Sequence, residues 1–232
     1  MLEKNIQQIQ EQVKNALEKA GREANEAVIV CVSKYVDTKT VKELVARGVR
    51  HFGENRLPSF LEKHSAIEEK VVWHFIGNLQ TKKVRKVINE IDYFHALDSL
   101  KLASEIDKRR TSPLKCFVEV NITGEESKHG LLPEDVLPFL KEISDFKNIL
   151  VVGLMTMAEK NANEEELHTT FRKLYELTQQ LKKENIPNAP LNEMSAGMSQ
   201  DFSIALEEGS TFVRIGSAFF KEHEEDFDGL TR

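Results

Sequence analysis

The sequence predicts a single (β/α)8 TIM-type barrel, an α/β fold, preceded by one extra N-terminal helix, and three observations support this prediction. Eight short runs of apolar and β-branched residues alternate with segments of helical periodicity. Polar or glycine-bearing motifs follow nearly every run. No linker or low-complexity tract interrupts the 232 residues, so one domain over residues 1–232 is expected. An open, doubly wound sheet is the alternative, and the count of eight strands favours closure.

The first predicted element is an amphipathic helix over residues 1–20. Its apolar residues recur at steps of three and four, which places them on one helix face. They are Ile6, Ile9, Val13 and Leu17. Gly21 ends the helix, because glycine readily takes the left-handed conformation that follows helix C-termini.

In the first half of the barrel, capping residues begin the helices that follow the strands. Asp37 and Thr38 can cap the helix after the first strand, since their side-chain oxygens can accept from free backbone N–H groups, and Gly48 ends that helix. Asp98 and Ser99 play the capping role after the fourth strand. The strands cover residues 28–34, 49–52, 71–76 and 93–97, and a helix covers residues 81–90.

The second half repeats this unit. Pro133 begins a helix that reaches about Ser144, because proline fits the first helical turn. A helix over residues 163–184 follows the sixth strand, and Ser199 is predicted to cap the helix that ends at Gly209. The strands cover residues 114–120, 149–155, 191–194 and 211–216, and an acidic tail covers residues 221–232.

Composition argues against several classes of function. The net charge is −6 and no basic run is interleaved with aromatic residues, so no nucleic-acid surface is expected. No apolar run approaches the ~18 residues of a membrane span, and the acidic N-terminus is unlike a signal peptide, so a cytoplasmic protein is expected. Cys31 and Cys116 stand alone in apolar runs, which predicts buried thiols. The seven histidines lack metal-ligand spacing, and no metal site is expected.

Lys34 is the first candidate functional residue. It ends the first predicted strand, and ligand-binding groups of α/β barrels collect at the C-terminal ends of the strands. A lysine at that end can supply its amine to a Schiff base. The alternative is a lysine that only extends its charge into solvent. Lys128, in a polar loop at the same end, is the second choice for the Schiff base.

The loops after strands seven and eight predict an anion site across the barrel mouth from Lys34. Barrels of this type commonly bind phosphate with those loops and a helix N-terminus. Ser199 would contribute its hydroxyl and the N–H groups that follow it, while Gly216 lets the backbone approach closely and Ser217 follows. A plain helix cap and a turn glycine are the simpler explanations of each residue alone. Their joint placement favours the anion site.

Arg214 completes this set of candidates. Strand alternation puts it on the same face as Gly216, so its guanidinium points into the mouth, where a buried arginine needs a partner. For a ligand with a Schiff-base lysine and a phosphate, that partner is the pyridine nitrogen of pyridoxal phosphate. An arginine stays charged and would leave the nitrogen unprotonated, which makes a poorer electron sink. A structural salt bridge is the alternative.

Short motifs spread over nearly the whole chain point to one family. They cover residues 32–34, 52–55, 74–80, 121–128 with Gly130, 153–155, 195–199 and 209–216. With them the chain resembles the pyridoxal phosphate homeostasis protein family, which is related to the N-terminal barrel of alanine racemase. Ala196, Asn78 and Lys82 depart from the family pattern, and these departures affect only pocket detail.

The resemblance implies a binding protein for pyridoxal 5′-phosphate, the vitamin B6 cofactor, that carries or buffers it in intracellular homeostasis. The expected partners are the cofactor and the pyridoxal phosphate-dependent apo-enzymes that would receive it, with no membrane and a monomeric chain. Eight cofactor-binding residues are implied: Lys34 as the Schiff-base lysine, Arg214 facing the pyridine nitrogen, Ser199, Gly216 and Ser217 at the phosphate, and Asn55, His74 and Met155 lining the pocket.

The resemblance also implies that the protein is not an enzyme. Alanine racemases carry a second β domain whose tyrosine, supplied by a partner subunit, acts as an acid and base, and this chain is expected to lack it. Of the three tyrosines, only Tyr35 lies at a strand end, and continued alternation would point it away from Lys34. A racemase or decarboxylase of low activity is the alternative. A Schiff-base aldolase acting on a sugar phosphate is a third possibility.

Overall fold

The predicted closed barrel is confirmed. A computed structural model describes residues 1–125 and 129–221. Within these ranges eight parallel strands pair in sequence order, and β8 closes the barrel on β1, which excludes the open sheet. The strands are β1 (Val28–Val32), β2 (His51–Glu54), β3 (Val72–Phe75), β4 (Tyr93–Leu97), β5 (Leu114–Glu119), β6 (Ile149–Met155), β7 (Glu193–Met198) and β8 (Phe212–Ile215).

Helices surround the barrel and one precedes it. The N-terminal helix α1 (Leu2–Lys19) buries the apolar face predicted for it, and Asn5 Nδ2 donates to the carbonyl of Phe219 at 2.8 Å. Every helix in the described ranges is too short or too polar to span a bilayer. The helices that follow α1 in the described ranges are α2 (Thr38–Ala46), α3 (Leu57–Ala66), a 3₁₀ helix (Thr81–Lys86), α4 (Leu100–Arg109), α5 (Pro133–Glu142), α6 (Glu164–Lys182), α7 (Phe202–Glu207) and α8 (Ser217–Phe220).

Two strands extend beyond their predicted ends because each contains a glycine that looked like a turn. β2 includes Gly53, where an added Cβ would lie 3.0 Å from Val30 Cγ1. β7 includes Gly197, whose φ is +94° and whose added Cβ would lie 2.7 Å from Ala205 Cβ. Small residues are therefore required inside these strands, since the neighbouring side chains leave no room for a larger one.

The predicted helix over residues 81–90 is also wrong, because only the short 3₁₀ helix forms there. The segment over residues 81–90 buries Val84, Val87 and Ile88, which are β-branched and disfavour a longer α-helix. β1 ends at Val32, two residues before its predicted end. The prediction that Cys31 and Cys116 are buried thiols is confirmed. Lys128 and the predicted acidic tail after Lys221 lie outside the described residues.

Rings fill the barrel interior in place of the branched aliphatic residues that are usual there. His74 stacks on Tyr93 with ring centroids 4.6 Å apart, and His95 lies 4.5 Å from Phe117. Phe212 packs against Phe117 at 5.2 Å. Two of these rings are imidazoles, so the interior holds polar atoms that need hydrogen-bond partners.

Candidate functional site

Lys34 lies in the turn that follows β1, at the C-terminal mouth of the barrel. It is half-buried, and its Nζ lies 4.8 Å from the centroid of the Tyr35 ring. Tyr35 itself is 85 % exposed. The prediction that Tyr35 points away from Lys34 is therefore wrong, because strand alternation stops at Val32, before either residue.

A buried ion pair holds the backbone just before Lys34. Lys63 Nζ donates to Glu54 Oε1 at 2.6 Å, to the Ser33 carbonyl at 2.7 Å and to Ser59 Oγ at 3.0 Å. The Ser33 hydroxyl also donates to Glu54 Oε1 at 2.6 Å. Glu54 is 0 % exposed and Lys63 is 3 % exposed. Both the side chain and the carbonyl of Ser33 are thus fixed, and with them the start of the turn that carries Lys34.

Sequence reasoning missed Lys63 altogether. The only signal was its place in α3, three residues after the buried Phe60 and four after Ser59, a spacing that puts all three on neighbouring positions of the helix surface. A charged residue at such a position is ordinarily expected to extend into solvent. Lys63 remains buried because three acceptors surround its ammonium group.

The side chain of Ser199 contacts the start of α8, not the start of the helix that it was predicted to cap. The helix after β7 begins at Phe202 with Asp201 at its N-cap, so the prediction that Ser199 caps it is wrong. Instead, the N–H groups of Gly216 and Ala218 donate to Ser199 Oγ at 3.1 and 3.5 Å. Two backbone donors from the start of α8 therefore converge on one oxygen, which is an arrangement suited to an anion.

This cluster lies beside the mouth of β1, not across the barrel from it. β8 pairs with β1, and a Cβ added to Gly216 would lie 3.5 Å from the Cβ and the carbonyl oxygen of Val32. Ser217 follows Gly216 as the first residue of α8. The predicted anion-binding residues are thus brought together, and they share one side of the mouth with the turn of Lys34.

Arg214 is buried below this cluster, inside the barrel. Its Nη1 donates to Ser195 Oγ and its Nη2 donates to the Thr156 carbonyl at 2.9 Å. Burial lowers the pKa of the Arg214 guanidinium to about 10, while Asp201 and Glu119 act in the opposite direction. The side chain therefore stays positively charged at neutral pH, with neutral oxygens as these two partners.

The three residues predicted to line the pocket have different environments. Asn55 follows β2, and its Oδ1 is buried without a hydrogen-bond partner in the described part of the chain. Met155 ends β6 and is buried. His74 is fully buried, and both of its ring nitrogens contact other histidines. Its connection to the mouth runs through His95 and Ser195 to Arg214.

Glu119 is a second buried carboxyl group that sequence reasoning did not select. It ends β5 and is 2 % exposed, and its Oε2 lacks a hydrogen-bond partner within residues 1–125 and 129–221. Burial raises the pKa of Glu119, and the nearby Asp98 raises it further. The available signal was an acidic residue at the end of an otherwise apolar run.

Comparison with known proteins gives a consistent result. The family model described as alanine racemase, N-terminal domain, matches residues 4–224. The chain is 38 % identical over 223 residues to the pyridoxal phosphate homeostasis protein of Aquifex aeolicus, covering 94 % of this chain and 97 % of the relative. It is 37 % identical to the human protein of the same name, covering 94 % of this chain and 86 % of that protein.

A solved structure is also similar over most of its length. PipY of Synechococcus elongatus, determined with pyridoxal phosphate bound, superposes with a TM-score of 0.80 at 27 % identity, covering 90 % of this chain and 100 % of PipY. The chain thus belongs to the alanine racemase N-terminal domain family and, within it, to the pyridoxal phosphate homeostasis proteins.

Proposed function

We propose that this protein binds pyridoxal 5′-phosphate covalently through Lys34 and acts in cofactor homeostasis as a carrier or buffer. The observation that carries the proposal is the convergence of the Gly216 and Ala218 N–H groups on Ser199 Oγ, beside the strand that leads to Lys34. The names of the curated relatives and the ligand in PipY support it.

The residues present fit this cofactor. Pyridoxal phosphate, when bound, supplies an aldehyde that reacts with a primary amine and a phosphate group that needs hydrogen-bond donors. Lys34 offers the amine. Ser199 offers its hydroxyl hydrogen, and the N–H of Gly216, which donates to Ser199 Oγ in this structure, would turn to the phosphate together with the N–H of Ser217. The buried Oδ1 of Asn55 accepts no hydrogen bond from the described residues, and a hydroxyl group of the ligand could donate one to it. We assign Arg214 to the pyridine nitrogen and Met155 to the apolar wall.

The test of this proposal is a titration of the purified protein with pyridoxal phosphate, followed by absorbance. We expect a new visible band on binding, and Ser199→Ala should weaken binding roughly 10- to 150-fold, because a hydrogen bond to a charged group contributes about 1.5–3 kcal/mol. Ser65→Ala, at an exposed position of α3, is the matched control and should bind as the wild type does. Equal affinities of the Ser199 and Ser65 variants would remove Ser199 from the site. Absence of the band in the wild type would favour an aldolase.

The proposal includes protein partners and a compartment. Apo-enzymes that depend on pyridoxal phosphate would be the recipients of the bound cofactor, and the chain would act as a monomer. The two free cysteines, Cys31 and Cys116, support a reducing compartment such as the cytoplasm.

We further propose that the protein has no substantial racemase or decarboxylase turnover. Racemisation needs acid and base groups on both faces of a substrate carbon. Lys34 can serve one face, and Tyr35 lies against the lysine amine on the same side of the mouth. Tyr93 lies in the barrel interior and Tyr175 lies on α6, 42 % exposed. Arg214 stays charged and so disfavours a second positive charge beside it.

Incubation of the cofactor-loaded protein with L-amino acids in deuterated water tests this. We expect slow exchange of the α-proton without D-isomer, because Lys34 is the one group among residues 1–125 and 129–221 that we place to move that proton. Nuclear magnetic resonance follows the exchange and chiral chromatography follows the D-isomer, with cofactor-free protein as the control. Formation of D-isomer at ordinary enzyme rates of roughly 1 per second or more would contradict the proposal.

A further inference from the structure

A continuous chain of hydrogen bonds crosses the barrel interior. It begins at His51, the first residue of β2, and passes through His74, His95 and Ser195 to Arg214, each the third residue of its strand. The distances are 3.0 Å from His51 Nδ1 to His74 Nε2, 2.9 Å from His74 Nδ1 to His95 Nε2, and 2.9 Å from His95 Nδ1 to Ser195 Oγ. Arg214 Nη1 donates to Ser195 Oγ and ends the chain.

Arg214 dictates the direction of every bond in this chain. A guanidinium can only donate, so Ser195 Oγ accepts from it. Within the described residues, His95 Nδ1 is the partner left for the one hydroxyl hydrogen of Ser195, which is buried and needs an acceptor. His95 Nδ1 therefore carries no proton and its Nε2 donates to His74 Nδ1. By the same step His74 Nε2 donates to His51 Nδ1. All three imidazoles are then neutral and protonated on Nε2.

The surroundings of the histidines agree with this neutral state. Burial lowers the pKa of both His74 and His95 well below the usual value. The positive charge of Lys115 adds to the effect at His74, and that of Arg214 adds to it at His95. His51 is partly exposed at the N-terminal end of the barrel, where burial lowers its pKa, and Asp92 and Lys115 face it with opposite effects. Aromatic rings cover the two inner imidazoles and keep water from competing for their nitrogens.

We propose that His95, His74 and His51 are positioning residues for Arg214, joined to it through Ser195 in one chain whose direction the guanidinium sets. The chain keeps Ser195 Oγ available as an acceptor and so holds the guanidinium at the floor of the mouth. The role assigned to Arg214 toward the cofactor rests on the proposed function. The existence and direction of the chain do not, so the two can fail separately.

Nitrogen-15 NMR of the cofactor-free protein tests the direction of the chain. Long-range proton–nitrogen spectra distinguish a protonated ring nitrogen from a bare one, and we expect the Nε2–H form at all three histidines. Arg214→Met should introduce the Nδ1–H form at His95, because Ser195 is then free to accept from the ring. His51→Phe, at the opposite end, should leave the tautomers of His74 and His95 unchanged. Nδ1–H forms in the wild type, or tautomers that respond to His51→Phe but not to Arg214→Met, would overturn the proposal.

The link to the cofactor has its own test. Glutamine can accept from Ser195 and donate to His74 as the imidazole does, whereas leucine can do neither. We expect His95→Leu to bind pyridoxal phosphate roughly 3- to 10-fold more weakly, the effect of one hydrogen bond, with a shifted absorption maximum of the bound cofactor, and His95→Gln to restore both. If both variants shift the maximum equally, His95 has only a packing role. If His95→Leu does not fold, the His95→Gln variant still tests the proposal. Its bound cofactor must have the absorption maximum of the wild type, and a shifted maximum would contradict the proposal.

Discussion

Lys34→Ala is expected to abolish the covalent attachment of pyridoxal phosphate while leaving the barrel folded. The side chain is half-buried in a turn at the barrel mouth, so its removal opens no core cavity, yet it removes the amine beside the anion cluster. Borohydride reduction followed by peptide mapping should place all of the label of the wild-type protein on Lys34. In the variant the absorbance band of the covalent complex should be lost, and the residues proposed to bind the phosphate would support only weak, reversible binding.

The control for this experiment is Lys39→Ala, an exposed lysine in α2, which should be labelled at Lys34 as the wild type is. Lys63 is a second lysine near the turn in the described part of the chain, and we expect no label on it. Its three N–H bonds are all engaged, with Glu54, Ser33 and Ser59, so no lone pair is available for reaction. Label found solely on Lys63 or Lys128 would refute the assignment.

The second large effect is expected for Lys63→Met, which should lower the free energy of unfolding by ~3–5 kcal/mol. The substitution leaves the Glu54 carboxylate buried at 0 % exposure without its positive partner, and desolvation of an unpaired charge is strongly unfavourable. Urea denaturation followed by circular dichroism measures the change. The Ser33 carbonyl also loses the Lys63 ammonium as a donor and, within the described residues, keeps only the Val36 N–H. The turn that carries Lys34 is then held less firmly, so the variant should also bind pyridoxal phosphate more weakly.

Two further variants make this prediction specific. Lys14→Met breaks an exposed ion pair with Glu18, whose side chains are 60 % and 58 % exposed, and should change stability by less than ~1 kcal/mol. Adding Glu54→Gln to Lys63→Met removes the uncompensated charge and should recover part of the lost stability. A loss in Lys63→Met no greater than in Lys14→Met would mean that the buried pair contributes little.

The sequence predicted those elements whose signals are local. β4 and β6 were predicted with their observed ends, because an apolar run bounded by polar residues marks both. The helix α6 was predicted over residues 163–184 and is observed over Glu164–Lys182, because its apolar residues recur at helical spacing. The structure adds a capping box of Asn163 and Glu166 at its start. These features depend only on residues that are near neighbours in the chain.

Features that depend on distant contacts could not be predicted. Ser199 was selected correctly but as a cap for the next helix, whereas its hydroxyl accepts from residues 17 and 19 positions further on. Gly197 was read as a loop residue because nothing local shows that Ala205 packs against it. His74 was assigned to the pocket lining by resemblance. Its hydrogen bonds to His51 and His95 depend on the registers of three strands, which the sequence does not show.

Because β8 pairs with β1, the two sides of the site come from the start and the end of the chain and are synthesised at different times. A nascent chain emerges from its N-terminus, so Lys34 is available long before Ser199 and Gly216 have been made. The Lys34 amine and the N–H groups near Ser199 come together only when β8 pairs with β1. This pairing closes a loop that contains most of the chain. Any ligand that bridges both strands stabilises that seam by mass action, so such a ligand would shift the folding equilibrium toward the closed barrel.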